Sequence, residues 1–177
     1  MTAPCQLDPA QMEGALGRLA GEVAARLRGS DLVVLGIRSR GLPLAERLAA
    51  LLATELGRPV PVGALDITLY RDDLTELIGV PIVRPTEIPF TLKERTVLLV
   101  DDVLFTGRTI RAALDALLDH GRPKTVRLAV LVDRGGRELP IQADFAALTL
   151  AVTGDQRVSV KVKELDGEDG VFLEARG

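Results

Sequence analysis

The sequence predicts an α/β fold in which helices cover both faces of a mainly parallel central sheet. Three observations carry that expectation. Aliphatic runs of strand length alternate along the chain with amphipathic stretches of helix length. Several of those runs are apolar almost throughout, as strands buried on both faces are. One run, Val97 to Val100, ends on two adjacent acids followed by Thr-Gly-Arg-Thr, which suits the carboxyl edge of such a sheet, where ligands bind.

The elements follow in order. Asp8-Pro9 reads as a helix N-cap with proline at the first helical position, and Met12, Leu16, Leu19, Val23 and Leu27 recur at helical spacing behind it. Asp31 to Arg38, "DLVVLGIR", is a short strand. "GLPLAERLAALLATELG" after it has helical composition and stops on Gly57. The run from Val60 to Tyr70 reads as a strand that offers Val62, Ala64, Ile67 and Leu69 for burial. Arg71 to Phe90 carries three prolines and no period, and so long a loop in a compact domain is usually functional. A strand over Val97 to Val100, a helix from about Gly107 to Leu118 and a strand over Thr125 to Asp133 follow. Alternating segments near Phe145 to Val152 and Val158 to Glu164 finish the chain.

Composition narrows the classes. At 177 residues, with 47% hydrophobic and 27% charged side chains, residues 1–177 are expected to form a single domain with a full core. No apolar run approaches the roughly 18 residues that span a bilayer, and the first residues lack the pattern of an export signal, so a cytoplasmic protein is expected. A lone cysteine, Cys5, can make no internal disulfide. A net charge of −3 argues against whole-surface binding to nucleic acid and leaves room for a local basic patch. Arginine outnumbers lysine eighteen to four, a bias that fits either genomic composition or phosphate contacts.

The stretch "VLLVDDVLFTGRT", Val97 to Thr109, holds the chemistry. Backbone N–H groups at the start of the helix, with its dipole, make a phosphate cradle; Gly107 admits close approach, and Thr106 and Thr109 add hydroxyl donors. Asp101 and Asp102, as carboxylates, suit sugar hydroxyls, a divalent cation or a carbon that turns positive during reaction. Side by side they repel by roughly 4 kcal/mol near a protein surface, which a pure scaffold would avoid. Together the two halves fit a phosphorylated ribose. Neither G-x-x-x-x-G-K-[ST] nor G-x-G-x-x-G occurs. His120, the only histidine, precedes Gly121 at a helix C-terminus and reads as a cap.

This stretch resembles the phosphoribosyl pyrophosphate signature of the type I phosphoribosyltransferases. With "GIRSRG" (Gly36 to Gly41), "DITLYRDDL" (Asp66 to Leu74) and "GRPKTVRLAVLVDRGGRELPIQADF" (Gly121 to Phe145), the chain looks like the bifunctional pyrimidine operon regulatory proteins that are also uracil phosphoribosyltransferases. The motifs cover about Asp8 to Phe145.

The resemblance implies the type I fold with a small C-terminal hood. It implies uracil and phosphoribosyl pyrophosphate giving UMP and pyrophosphate, with Mg2+ carried by the substrate, and a homodimer or larger assembly without membrane contact. Asp101, Asp102 and Arg71 are then the catalytic residues. Val103, Leu104, Phe105, Thr106, Gly107, Arg108 and Thr109 form the phosphate and ribose site. Arg38, Ser39, Arg40 and Gly41 form the pyrophosphate loop, although alone they read as a strand-to-helix turn with solvated arginines. Asp133 and Arg134 face the base, or form a surface ion pair.

Binding of a pyrimidine operon leader RNA is also implied, with Arg137, Arg157 and Lys161 as candidate contacts, although a solvated face explains those residues too. Gly17, Gly21, Gln142 and the apolar segment after Phe145 depart from the family's pattern and put the RNA mode and the lid over the base in question. The remaining alternatives are a phosphoribosyltransferase for orotate or a purine, and a regulator that keeps the site as a nucleotide sensor.

Overall fold

A computed structural model describes residues 3–76 and 78–175. Strand β1 (Cys5–Leu7) leads into helix α1 (Pro9–Leu27), then β2 (Leu32–Ile37), α2 (Gly41–Leu56) and β3 (Val62–Leu65). After the long loop come β4 (Thr96–Leu104), α3 (Arg108–Leu118), β5 (Thr125–Asp133) and β6 (Phe145–Thr149). The chain closes with β7 (Gln156–Lys161), the short helix α4 (Lys163–Asp166) and β8 (Gly170–Ala175).

Five strands form a parallel sheet in the order β3-β2-β4-β5-β6. The period of two divides it into two cores. On one face Val34, Leu98, Val100, Ala129 and Leu131 pack under Met12, Leu16, Leu19 and Val23 of α1 and Leu44, Leu48 and Leu52 of α2. On the other, Val33, Leu35, Val97, Leu99 and Val130 pack under Ile110, Ala113 and Leu117 of α3. The N-cap foreseen at Asp8 is present and is one half of a capping box: its side chain accepts from the Gln11 N–H and the Gln11 side chain accepts from the Asp8 N–H. Gly57 caps α2 in the left-handed region, as expected.

Chain order reverses between β2 and β4, since β3 lies outside β2 and β5 outside β4. The crevice at that switch point is therefore flanked by the turns that follow β2 and β4. Its width is set by contacts that admit no side chain. A Cβ on Gly41 would lie 2.5 Å from the Val100 carbonyl oxygen, and one on Gly36 would lie 2.5 Å from the Leu42 Cα and 2.7 Å from the Gly41 oxygen.

Three expectations are corrected. The run to Tyr70 leaves the sheet at Leu65, because the Asp66 carboxylate accepts from the Thr68 N–H at 2.7 Å and turns the chain into a 3-10 turn over Thr68–Tyr70; Leu69 is 62% exposed. The strand over Val97 to Val100 continues through both acids to Leu104, still paired with β5. The hood is not C-terminal alone: β1 pairs antiparallel with β8, and β8 with β7, in a second sheet of order β1-β8-β7. A three-residue strand is too short for a period to reveal it. Arg47 of α2 clasps this hood with paired bonds to Glu164 and Asp169.

Among the described residues no helix is long and apolar enough to cross a membrane, and Cys5 is exposed with its thiol unpaired.

The glycine contacts predict opposite outcomes at two positions. Gly36→Ala should lower the unfolding free energy by about 3 kcal/mol, because the backbone it meets cannot step aside. Gly21→Ala in α1, where nothing lies within 4 Å, should raise it by about 0.5–1 kcal/mol. Urea denaturation of both variants checks the pair.

Candidate functional site

The site assembles at the carboxyl ends of β2 and β4. Asp101 is 6% exposed, with its backbone against Gly41, while Asp102 is half-buried and lines a cleft. The Asp102 N–H donates to Asp101 Oδ1 at 2.9 Å and the Val103 N–H to Asp102 Oδ1 at 2.8 Å, so backbone amides orient both carboxyls. Burial pushes the Asp101 carboxyl well up from the ordinary aspartate range, and the adjacent Asp102 carboxylate pushes it further.

Past Leu104 the chain turns through Gly107, whose φ of +93° suits glycine and whose missing Cβ leaves room for Ile141 and Leu139. The N-cap of α3 is Gly107 itself, which has no side chain to cap the helix. Thr106 Oγ1 accepts from the Arg108 N–H at 3.2 Å. Arg108 reaches outward to Glu138 and Asp72, each at 2.7 Å. A cavity of about 170 Å³ lies above this turn, lined by Thr106, Arg108 and Thr109 from one side and by Arg71, Asp72 and Asp73 from the loop after β3. Arg71 meanwhile makes paired bonds to Asp73 at 2.8 and 2.6 Å.

The turn after β2 faces it across the crevice. The Arg38-Ser39 peptide is cis. Arg38 Nε donates to the Pro85 carbonyl at 3.0 Å, and Arg40 makes a bidentate pair with Asp166 of α4 at 2.8 and 3.2 Å. Arg40 and Asp102 share a cleft of about 290 Å³ with Arg157, Val158, Ser159 and Val160 of β7. The hood thus forms the opposite wall of the same cleft.

Most of the sequence-predicted residues meet in this region, though in different capacities. Leu104 turns its side chain into the core and offers its carbonyl to the Arg134 N–H at 3.1 Å. Phe105 lies under the Arg134 guanidinium at 3.8 Å. Asp133 and Arg134, with Gly135, Arg137 and Gln142, line a further cavity of about 470 Å³ against Thr149 to Thr153. Burial raises the Asp133 carboxyl, but donation from Arg137 and from the Gly135 N–H outweighs it and holds the group below its ordinary value.

Arg137 is only 15% exposed and bonds Asp133, the Phe105 and Ile141 carbonyls and, at 3.4 Å, Gln142 Oε1. Arg157 and Lys161 lie on the hood, paired with Glu174 and Glu168. The half-buried Gly17 and Gly21 sit on α1 with open space over their Cα atoms. His120 follows α3, where its backbone N–H donates to the Leu117 carbonyl at 3.0 Å.

Three residues that sequence reasoning passed over have parts here. Asp66 ties the long loop at its base, accepting from the Thr68 and Arg84 N–H groups while its own N–H donates to Thr86 Oγ1. A lone acid closing the "VGAL" run was the available signal. Tyr70 fixes the loop's start, its hydroxyl on Asp119 at 2.5 Å and its carbonyl accepting from Arg111 at 2.7 Å. Asp166 contacts Arg40 from 126 residues away, and no local pattern announces that.

Residues 7–165 match the phosphoribosyl transferase domain family. The bifunctional protein PyrR of Pelotomaculum thermopropionicum is 54% identical over 168 residues, covering 94% of this chain and 93% of that one. The protein of the same name from Deinococcus radiodurans is 53% identical over 176 residues, with coverages of 98% and 96%. That from Thermus thermophilus is 56% identical over 164 residues, with coverages of 92% and 91%. These likenesses run past Phe145, where the quoted motifs stop. Among solved structures, the HGPRT-ase of Leishmania tarentolae in complex with GMP superposes with a TM-score of 0.72 at 19% identity over 98% of this chain and 96% of that one. The hypoxanthine phosphoribosyltransferase of Trypanosoma cruzi gives 0.73 at 17%, with coverages of 98% and 97%. At those identities the likeness is one of fold.

The burial of Asp101 has a consequence for stability. An acid whose pKa is raised on folding favours the fold in its protonated form; that contribution is present below the unfolded-state pKa and is lost as pH rises through the folded-state value. Asp101→Asn should therefore raise the thermal midpoint at pH 7 by roughly 2–4 °C. The gain should shrink toward pH 4. Thermal scans at both pH values test this, and an unchanged or lowered midpoint at pH 7 contradicts it.

Proposed function

The chain belongs to the phosphoribosyl transferase family, and from that premise we propose that it is a uracil phosphoribosyltransferase that also regulates a pyrimidine operon through its leader RNA. One observation carries the enzymatic half. An open helix N-terminus with threonine hydroxyls lies one turn beyond an acid pair, Asp101 buried and Asp102 half-buried, and the arginine of a second turn faces that pair across the crevice. The relatives at 53–56% identity named bifunctional protein PyrR support the double assignment.

In this reaction the bond from ribose C1 to pyrophosphate breaks as a bond from uracil nitrogen to C1 forms. The backbone N–H groups and hydroxyls of Thr106 to Thr109 hold the 5′-phosphate at the α3 N-terminus. Asp101 and Asp102 accept from the ribose hydroxyls and favour the positive charge that develops at C1. Arg40 and the turn from Arg38 to Gly41 receive the leaving pyrophosphate. Arg71 reaches the substrate from the loop, which closes over it and excludes water. Asp133 and Arg134 border the base side.

The donor set fits magnesium brought in with the substrate. No group of three or more potential protein ligands occurs among the described residues, and Mg2+ on a diphosphate needs only one or two protein carboxylates, a place the cleft-lining Asp102 would fill. When bound, the ion neutralises charge on the leaving diphosphate.

The regulatory half draws on Arg157, 63% exposed on β7, and on Lys161. Both are engaged by acids in the unbound protein, so an RNA phosphate either shares these side chains with Glu174 and Glu168 or displaces those acids. Arg137 serves the loop after β5 rather than the surface. The protein works in the cytoplasm as a homodimer or larger assembly.

Pyrophosphate release from phosphoribosyl pyrophosphate and magnesium, with uracil, orotate, hypoxanthine or no base, tests the enzyme. Release is expected with uracil; release with another base instead moves the specificity. Asp101→Asn combined with Asp102→Asn should abolish turnover, and retained turnover removes those carboxylates from the mechanism. For the regulator, UMP should tighten a salt-sensitive complex with the operon leader RNA, and equal binding to a scrambled RNA rejects it.

A further inference from the structure

Arg40 is the charged side chain placed to meet the leaving pyrophosphate, yet its guanidinium is already paired. Nε donates to Asp166 Oδ2 at 3.2 Å and Nη2 to Asp166 Oδ1 at 2.8 Å, so the carboxylate occupies one edge of the planar fork. An arginine has five N–H donors, and this grip uses two of them. The donors on Nη1 and the outer one on Nη2 form a second edge, and Arg40 lines the cleft that also holds Asp102. One guanidinium can hold a carboxylate on one edge and a phosphate on the other.

Asp166 is itself fixed from behind. It ends α4, its Oδ2 accepts from the Val162 N–H at 2.8 Å, and its own N–H donates to the Val162 carbonyl at 2.8 Å. Val162 is fully buried and follows β7, whose Arg157 and Ser159 line the cleft wall opposite Asp102. Arg47 clasps Glu164 and Asp169 on either side of Asp166 and joins this corner of the hood to α2. A rigid chain of contacts therefore runs from the hood strand to the guanidinium that faces the leaving group.

We infer that Asp166 is a positioning residue for Arg40, holding its guanidinium so that the open edge meets pyrophosphate and tying that orientation to the hood. The inference rests on the assignment of Arg40 to the pyrophosphate site. It makes the hood part of the leaving-group site as well as a wall of the cleft.

Two effects oppose each other when Asp166 is changed. Losing the grip frees Arg40 to sample other rotamers and weakens anion binding, whereas losing the carboxylate removes a negative charge near the anion and strengthens it. Asp166→Glu keeps the charge and displaces it by one methylene, so it isolates the positional effect; Asp166→Asn keeps the shape and removes the charge.

Titration calorimetry with inorganic pyrophosphate and magnesium should show both variants binding about tenfold more weakly than wild type. Both should also show a raised KM for phosphoribosyl pyrophosphate with kcat changed less. In an Arg40→Ala background the same substitutions should change pyrophosphate affinity less than twofold, which a general loosening of the hood would not produce.

Tighter binding by Asp166→Asn overturns the inference and makes Asp166 a competitor for Arg40. So does unchanged affinity in Asp166→Glu, or an equal loss without Arg40. If the wild-type protein binds no pyrophosphate, the pyrophosphate site itself is overturned and this inference with it, whereas wild-type binding with unaffected variants overturns only the role of Asp166.

Discussion

The helix that follows the first sheet strand must come within van der Waals contact of the neighbouring strand's backbone, and the rest of the site depends on that approach. Gly36 and Gly41 permit it by having no Cβ. With α2 seated that closely, the turn over Arg38 to Arg40 comes level with the point on β4 where Asp101 begins the polar stretch. A methyl group at either glycine would lift the helix and move the turn over Arg38 to Arg40 away from the acid pair on β4. The same seating carries Arg47 to the hood, so one helix sets two walls of the cleft.

Burial and charge are balanced at the bottom of the crevice. Asp101 sits inside the sheet layer, where an ionised carboxyl is disfavoured, and accepts a backbone N–H from its own neighbour. The fold tolerates this because the strand continues past the acids, paired with β5 as far as Leu104, so backbone pairing holds the peptide that the side chains would otherwise disturb. Under the role proposed for the acid pair, the site is in this way built at some cost to the scaffold.

The fold was legible because its periods are local. The nearly continuous apolar runs of β2, β4 and β5 and the spacing on α1 needed no knowledge of the rest of the chain. The Thr106 to Thr109 turn and the acid pair were legible for the same reason, lying together within the thirteen consecutive residues from Val97 to Thr109. What stayed hidden joins distant segments: β1 on β8, Arg40 on Asp166, Arg111 on the Tyr70 carbonyl. The misread strand end at Asp66 has a different cause, since aliphatic residues continue through Ile67 and Leu69 while a single carboxylate redirects the backbone. Arg137 looked like a surface cation by composition. Its acceptors are two carbonyls and two side chains gathered from three turns, which no spacing rule could assemble.

The long loop between β3 and β4 is tied at both ends, by Tyr70 on α3 at its start and by Asp66, with the Ala64-Glu87 bridge, at its return. Clamped ends mean that the conformational entropy of ordering the loop is already partly lost before any substrate arrives, and Arg108 holds Asp72 of the loop as well. Arg71 adjoins the anchor, so its search volume is small. The exposed Ile78 and Val80 lie between the two tethers, and the exposed Val83 adjoins the one at Arg84. The closure proposed for this loop resembles the folding of a short tethered peptide more than the swing of a lid.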